Sequence, residues 1–131
     1  MDFDFGSYLR SQRMKCKVTL RELARKLNIS APYLSDVEKG RRKPMKANKL
    51  YVLAKILGFS DEETFLLFDL AAKVRKELPP DITIYLQGNE LARQAVREAA
   101  NKNIPDKVWK DFITSIAKEV NDNAGNEIPM S

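Results

Sequence analysis

The sequence contains no histidine and only one cysteine, Cys16. A single cysteine excludes a disulfide within the chain, and without histidine there is no credible zinc site. Histidine is also the most common general base in enzymes, and the chain has no glycine-rich phosphate-binding loop. We therefore expect a protein that is not an enzyme and that needs neither a metal nor a cofactor.

Long hydrophobic runs are absent too. No stretch approaches the roughly 18 consecutive apolar residues of a transmembrane helix, and the segment MDFDFGSYLR is too acidic for a signal peptide. The sequence therefore predicts a cytoplasmic protein with no membrane partner. A length of 131 residues corresponds to one domain, or to one small domain and an extension.

Charge is distributed unevenly along the chain. Residues 1–58 carry 14 Lys and Arg against 5 Asp and Glu, whereas residues 59–131 carry 9 against 13. The net charges of +9 and −4 together give the +5 of the whole chain. This asymmetry indicates one part that meets a polyanion and another with a different task. Accidental clustering on solvated helix faces would produce the same counts.

Two short predicted helices carry the clearest local signals. Residues 19–27, TLRELARKL, begin with a capping box and then place apolar residues at helical spacing. Asn28 suits the left-handed conformation that ends a helix, and Ser30 is a good N-cap for a second helix that ends at Gly40. Two short helices joined in this way, with the small residue Ala24 at their crossing, form a DNA-binding helix-turn-helix.

Hydrophobic periodicity predicts helices through most of the remaining chain as well. We expect them at residues 5–15, 46–57, 60–76, 90–101 and 105–120. The third of these opens with a second capping box, and apolar residues nearly encircle it. It is therefore expected to be buried on more than one side.

A proline pair marks the clearest boundary. In residues 78–81, LPPD, each proline restricts the residue before it. We therefore predict a DNA-binding domain at residues 1–77 and a helical extension at residues 78–131, with a frayed tail from about 121. Residues 82–89 fit a short strand by residue type, although the helical surroundings favour one or two helical turns.

Four sequence features within residues 5–58 carry a family resemblance. They are the residues Gly6, Leu9 and Arg13; the block TLRELA; the block SxxYLSxVExGxxxP; and a closing Leu-x-x-Leu-Ala. Together they resemble the phage-repressor-like (Xre-type) helix-turn-helix regulators. The resemblance implies an all-α, five-helix repressor-like domain that binds operator DNA as a dimer, with the helix from Ala31 in the major groove.

The resemblance also implies roles for individual residues. Base-facing side chains fall on Ala31, Pro32, Tyr33 and Asp36. The first two cannot form the bidentate hydrogen bonds that specify guanine or adenine, but they can pack on thymine methyl groups, and Asp36 can accept from the N4 amine of cytosine. Pro32 and Tyr33 also fit purely structural roles. Contacts to the phosphate backbone are implied for Thr19, Arg21, Ser35, Arg41, Arg42, Lys43 and Lys46.

Glu38 lies in the same stretch but is assigned differently. The resemblance implies that it forms a partly buried ion pair with Arg13 and so anchors the recognition helix to the first helix. Glu38 would then stabilise the domain without touching DNA.

An apolar stripe in the last predicted helix leaves two interpretations open. Trp109, Phe112, Ile113 and Ile116 fit core packing, and they also fit a surface for a homodimer or another partner. The favoured function is a sequence-specific transcriptional regulator, expected to be a repressor that binds double-stranded DNA at a near-palindromic operator as a homodimer. The alternative is an antitoxin or partner-binding regulator of a toxin–antitoxin or mobile-element module, with a protein partner on its acidic C-terminal half.

Overall fold

The computed structural model describes residues 4–126, and all regular secondary structure in that range is helical. The expected all-α fold is confirmed there. The chain divides into two compact units, Met1–Gly88 and Asn89–Ser131. In chain order the helices are α1 (Phe5–Lys15), α2 (Leu20–Leu27), α3 (Ala31–Glu38), α4 (Ala47–Ile56), α5 (Asp61–Arg75), α6 (Pro80–Gly88), α7 (Glu90–Lys102) and α8 (Asp106–Asn126).

The helix ends follow local sequence chemistry. In the capping box of α2, the Glu22 backbone N–H donates to Thr19 Oγ1 at 3.1 Å, and the Glu22 carboxylate accepts from the Thr19 backbone N–H. Ser60 and Glu63 form the same reciprocal pair at the start of α5. Both boxes are therefore confirmed, and each satisfies backbone donors that a helix leaves without an intrahelical partner.

The core of the first unit lies where α1 to α5 meet. Helix α2 packs on α3 and α4, while α1 packs on α3 and α5. The largest fully buried side chains come from all five helices: Phe5, Leu9, Leu23, Leu34, Val37, Leu53, Leu67 and Phe68. Since interiors of this kind are close-packed, the core holds α2 and α3 in one relative position.

The burial of helix α5 differs from the prediction. Phe65, Leu66 and Val74 are exposed by 51%, 42% and 43%, so α5 is not buried on more than one side. Its buried residues lie on one face, and α5 packs on α1, α4 and α6. The prediction was wrong because apolar residues surround α5, whereas its neighbours in the first unit cover only part of its circumference.

Residues 80–88 form α6, so the helical alternative for residues 82–89 is confirmed. The Thr83 backbone N–H donates to the Pro79 carbonyl at 3.0 Å, and the helix begins at Pro80, the second proline of the pair. Helix α6 packs on α5, and the first compact unit consequently runs to Gly88 rather than ending at 77. A cavity of about 250 Å³ remains between α4, α5 and α6, which shows that α6 covers this part of the core incompletely.

The second unit consists of α7 and α8. Asn89 caps α7 by accepting from the Ala92 backbone N–H at 2.9 Å, and Asn103 ends it in the left-handed conformation with φ 48°. Helix α8 continues to Asn126, past the point near 121 where a frayed tail was predicted; residues 127–131 of that tail lie outside the described range. Between residues 4 and 126, none of the helices has the length and hydrophobicity needed to cross a membrane.

Candidate nucleic-acid interface

The turn between α2 and α3 has the geometry of a helix-turn-helix. Asn28 adopts the left-handed conformation with φ 56° and ψ 46°, and the Ile29 backbone N–H donates to the Ala24 carbonyl at 3.0 Å. Ser30 then caps α3 by accepting from the Tyr33 backbone N–H at 3.1 Å. The left-handed Asn28 is the C-cap of α2 and Ser30 is the N-cap of α3, so the chain turns within three residues and α3 leaves α2 at a defined angle.

Helix α3 has one buried side and one accessible side. Leu34 and Val37 are fully buried in the core. Pro32 is exposed and Asp36 is half-buried, whereas Ala31 and Tyr33 are half-buried and pack in part against the core. The residues predicted to face bases therefore remain accessible. Tyr33 also has the packing role that the sequence left open for it, and Ala31 packs against the core in the same way.

Two side chains of α3 contact the basic segment that follows it. Arg42 Cζ lies 5.6 Å from the centroid of the Tyr33 ring, within the range of a cation–π interaction. Arg41 Nη1 lies 3.9 Å from Asp36 Oδ1, and the two side chains are 70% and 40% exposed. Because exposed pairs of this length contribute little stability, the contact leaves both charges available to a ligand.

The segment after α3 presents a cluster of cations on a fixed backbone. Gly40 has φ 75°, and the Arg41 backbone N–H donates to the Asp36 carbonyl at 2.8 Å, which turns the chain away from α3. Pro44 and Met45 are buried. The predicted backbone-contacting cations before and after them are all exposed: Arg41, Arg42, Lys43 and Lys46. We call residues 41–46 the basic loop.

The other predicted backbone contacts lie at the start of α2 and in the middle of α3. Thr19 and Arg21 are exposed, and Ser35 is half-buried. The Thr19 hydroxyl already accepts a hydrogen bond in the capping box. Its remaining capacity as a donor is what a phosphate oxygen could use.

Arg13 and Glu38 form a bidentate ion pair. Arg13 Nε donates to Glu38 Oε2 at 2.7 Å, and Arg13 Nη2 donates to Glu38 Oε1 at 3.0 Å. The two side chains are only 13% and 5% exposed, and Arg13 Nη1 also donates to the Val18 carbonyl at 3.0 Å. The hydrogen bonding of the Arg13 guanidinium to the Glu38 carboxylate raises the pKa of Arg13. This pair ties the end of α3 to α1.

Gly6 provides a second connection between α1 and α3. A Cβ atom at this position would lie 2.6 Å from the Val37 carbonyl oxygen and closer still to that of Glu38. The two helices approach so closely there that only glycine fits. The ion pair and this contact together fix the C-terminal end of α3, from which the basic loop departs.

Two further basic residues support the site, and sequence reasoning missed both. Lys49 Nζ donates to the Leu27 carbonyl at 2.8 Å, so α4 holds the end of α2. Arg75 Nη1 donates to the Pro44 carbonyl at 3.2 Å, so α5 holds the basic loop. Each contact joins residues far apart in the chain, and no local pattern signals it.

The predicted dimer or partner residues belong to the second unit. Trp109, Phe112, Ile113 and Ile116 are exposed by 36%, 53%, 65% and 48%. Within residues 4–126, these four side chains are therefore not packed in a hydrophobic core. In the same range, no group of three or more Cys, Asp or Glu side chains is placed to hold a metal ion.

Comparison with known proteins agrees with this geometry. Residues 4–67 match the family model described as a helix-turn-helix domain. Two HTH-type transcriptional regulators of Mycobacterium tuberculosis, from strains CDC 1551 and H37Rv and both named as uncharacterized, are 46% identical to the chain over 61 residues. The match covers 47% of this chain and 43% of each of those proteins, so the chain spans less than half of their length.

Solved structures include two partial likenesses. The clp gene regulator ClgR of Corynebacterium glutamicum is 36% identical, with a TM-score of 0.43, over 53% of this chain and 85% of that one. A complex of the SinR and SinI proteins is 19% identical, with a TM-score of 0.45, over 89% of this chain and 98% of the other.

Proposed function

We propose that the chain is an Xre-like helix-turn-helix regulator that binds DNA sequence-specifically and controls transcription; the match of residues 4–67 to a helix-turn-helix domain and the similarity to two HTH-type transcriptional regulators support this. Its proposed mode of action is repression from a near-palindromic operator, bound as a homodimer. Repression requires nothing beyond occupancy of the operator, which is why we assign it ahead of activation.

The observation that carries this proposal is the arrangement of α3 and the basic loop. An accessible helix face with Pro32, Tyr33 and Asp36 stands directly before four exposed cations. A helix of this kind fits the major groove, and cations beside it meet the phosphates that border the groove. The bidentate Arg13–Glu38 pair supports the proposal because it removes one acidic side chain from the surface that would face a polyanion.

Base reading and backbone binding have different chemical requirements here. Ala31 and Pro32 are apolar and suit thymine methyl groups, whereas Asp36 suits a cytosine amine. In the free protein Asp36 also lies near Arg41.

The first half of the test is selection of bound duplexes from a random pool. It should return a near-palindrome whose half-sites are about one helical turn, 34 Å, apart. An Asp36→Ala variant should lose preference at one position in each half-site. A wild-type protein that selects no sequence would refute the proposal.

The second half of the test concerns the basic loop. Arg41→Ala and Arg42→Ala should each weaken binding to all duplexes alike and make the slope of log K against log salt shallower by about 0.9. Lys55→Ala is the matched control, since Lys55 is an exposed cation near the other end of α4; it should leave affinity unchanged. Loss confined to one operator position would instead assign that arginine to a base.

A further inference from the structure

The cavity between α4, α5 and α6 lies against the basic loop. Met45, a buried residue of that loop, lines the cavity together with Leu50 of α4 and Ala72 of α5. Arg75 lines it as well, and this arginine also donates to the Pro44 carbonyl at 3.2 Å. Two of the contacts that hold the basic loop on the protein are therefore parts of the wall of one cavity.

The size and the lining of the cavity define the body of a ligand that it can take. Its volume is about 250 Å³, and an apolar cavity of about 150 Å³ is enough to hold benzene. Apart from Arg75, Glu77 and Thr83, the residues that line it are apolar. The Thr83 hydroxyl already donates to the Pro79 carbonyl at 3.2 Å. The cavity therefore suits a substituted aromatic ring or an aliphatic group of similar size.

A ligand can reach this cavity from solvent. Ala47, Leu78 and Ile84 line the cavity and are exposed, so they form its rim. Helix α6 supplies part of the wall, and no residue of Pro80–Gly88 is buried. Entry of a small molecule therefore requires no opening of the core.

The polar group that such a ligand would meet is the guanidinium of Arg75. Its Nε donates to Glu77 Oε2 at 3.4 Å and its Nη1 donates to Pro44. In the described part of the chain, these contacts use two of the five N–H donors of an arginine side chain. The side chain is only 25% exposed, and a partly desolvated guanidinium binds a carboxylate more strongly than a neutral acceptor.

The acidic residue on the cavity wall does not prevent this contact. The Glu77 side chain is 58% exposed, and a long, exposed ion pair contributes little stability. The Glu77 carboxylate can turn toward water and leave its place on Arg75 to a ligand. Charge and lining together favour a small apolar carboxylate as the occupant, such as an aromatic or a branched aliphatic acid.

We propose that this cavity binds a small apolar carboxylate and that the ligand weakens the binding of DNA. The ligand competes with the Pro44 carbonyl for Arg75, and an anion is the stronger acceptor. Without the hydrogen bond from Arg75, the basic loop is held less firmly. Its cations then lose more conformational entropy when they contact phosphates. The effect on DNA rests on the proposed function, whereas the ligand site does not.

Nuclear magnetic resonance of isotope-labelled methionine methyl groups tests the site in the full-length protein. The signal of Met45, assigned with Met45→Leu, should shift on titration with para-toluate and should saturate at millimolar concentrations. The signal of Met14, which is 58% exposed on α1, should stay in place. Para-toluamide has the same shape without the charge and should bind at least about threefold more weakly. A Met45 signal that neither compound shifts, or equal affinity for both, would overturn the inference.

Variants of the lining residues identify the groups that bind the probe. Glu77→Gln removes the competing carboxylate at the surface and should bind para-toluate about twofold tighter or more. Arg75→Gln should lose the preference for para-toluate over para-toluamide. Lys73→Gln, which removes a charge from an exposed position of α5 outside the cavity lining, is the matched control and should keep that preference. Ala72→Leu fills part of the cavity and should weaken the binding of both compounds.

The surface variants keep this test decisive even if a change inside the cavity prevents folding. Weaker binding of para-toluate by Glu77→Gln would refute the assignment of the ligand carboxylate to Arg75. Loss of the preference in Lys73→Gln would refute it as well, because overall charge would then explain the selectivity.

Binding of operator DNA tests the second part of the proposal. Saturating para-toluate should weaken operator binding about fivefold or more, the lower end of ordinary allosteric coupling. Para-toluamide, and sodium chloride at the same ionic strength, should not reproduce this effect; the salt control is needed because DNA binding depends strongly on ionic strength. By linkage, bound operator should weaken the binding of para-toluate by the same factor. Operator affinity that saturating para-toluate leaves unchanged would overturn the effect on DNA.

The two hypotheses can fail separately. A protein whose Met45 signal responds to para-toluate but that selects no DNA sequence would refute the proposed function and leave the ligand site standing. A protein that selects its operator while Met45 does not respond would do the reverse.

Discussion

Removing the carboxylate of Glu38 is expected to destabilise the first unit strongly. Glu38 is 5% exposed and accepts two hydrogen bonds, of 2.7 and 3.0 Å, from Arg13, which is 13% exposed. After Glu38→Ala the guanidinium would stay largely out of water with the Val18 carbonyl as its remaining acceptor. Breaking a buried ion pair on one side costs about 3–5 kcal/mol.

This cost translates into a large change in melting temperature. For a domain of 60–100 residues, 1 kcal/mol corresponds to about 4–8 °C, so Glu38→Ala should lower the midpoint by at least about 12 °C. Thermal and urea unfolding followed by circular dichroism would measure it. The Arg13→Ala, Glu38→Ala double variant should cost far less than the sum of the two single changes, because the two residues act as one unit.

The same assay distinguishes the structural role from a role in DNA binding. An Arg13→Met, Glu38→Leu variant replaces the pair by apolar side chains and should recover most of the stability, since such replacements are often neutral. If Glu38→Ala left the melting temperature unchanged but abolished operator binding, Glu38 would belong to the contact surface and the reasoning above would be refuted.

Two further predictions concern the frame around the site. Gly6→Ala should lower the free energy of unfolding by about 1–3 kcal/mol, because the new methyl group meets the backbone of α3 at Glu38. Ser11→Ala, at an exposed position of the same helix, is the control. A Gly6→Ala protein more stable than the wild type would contradict the close approach of α1 and α3. Hydrogen bonding within the capping boxes lowers the pKa values of Glu22 and Glu63. The two carboxylates therefore stabilise the folded protein fully above the ordinary glutamate pKa of about 4.3. This stabilisation is lost as the pH falls through the lower pKa values of the folded state. The melting temperature should therefore fall on acidification below about pH 4.5, and a Glu22→Gln, Glu63→Gln variant should show a shallower fall; an equal fall would mean that other groups cause it.

Much of the first unit was predictable because its signals are local. The limits of α1, both capping boxes and the left-handed Asn28 depend on residues within four positions of one another. The pairing of Arg13 with Glu38 was accessible only through family resemblance, since 25 residues separate the partners. The contacts of Lys49 and Arg75 escaped prediction because their acceptors are backbone carbonyls, which every residue carries.

The prediction for α5 failed for a different reason. Periodicity reveals that a helix has apolar faces, but it does not reveal how much neighbouring surface exists to cover them. Phe65 and Leu66 remain exposed because the first unit offers too few elements on that side. The proline pair at the predicted domain boundary starts a helix that packs on α5, a contact that no local pattern indicates.

The sequence by itself determined the limits of the helices in the helix-turn-helix and which part of the chain is basic, because caps, periodicity and charge are properties of neighbouring residues. Only the tertiary structure decided which carboxylate is withdrawn into an ion pair and which stays on the surface, as Glu38 and Asp36 do. It alone decided that the stripe of Trp109 and Ile113 stays uncovered within residues 4–126. Both outcomes depend on which distant segments meet, and that is a matter of packing in three dimensions.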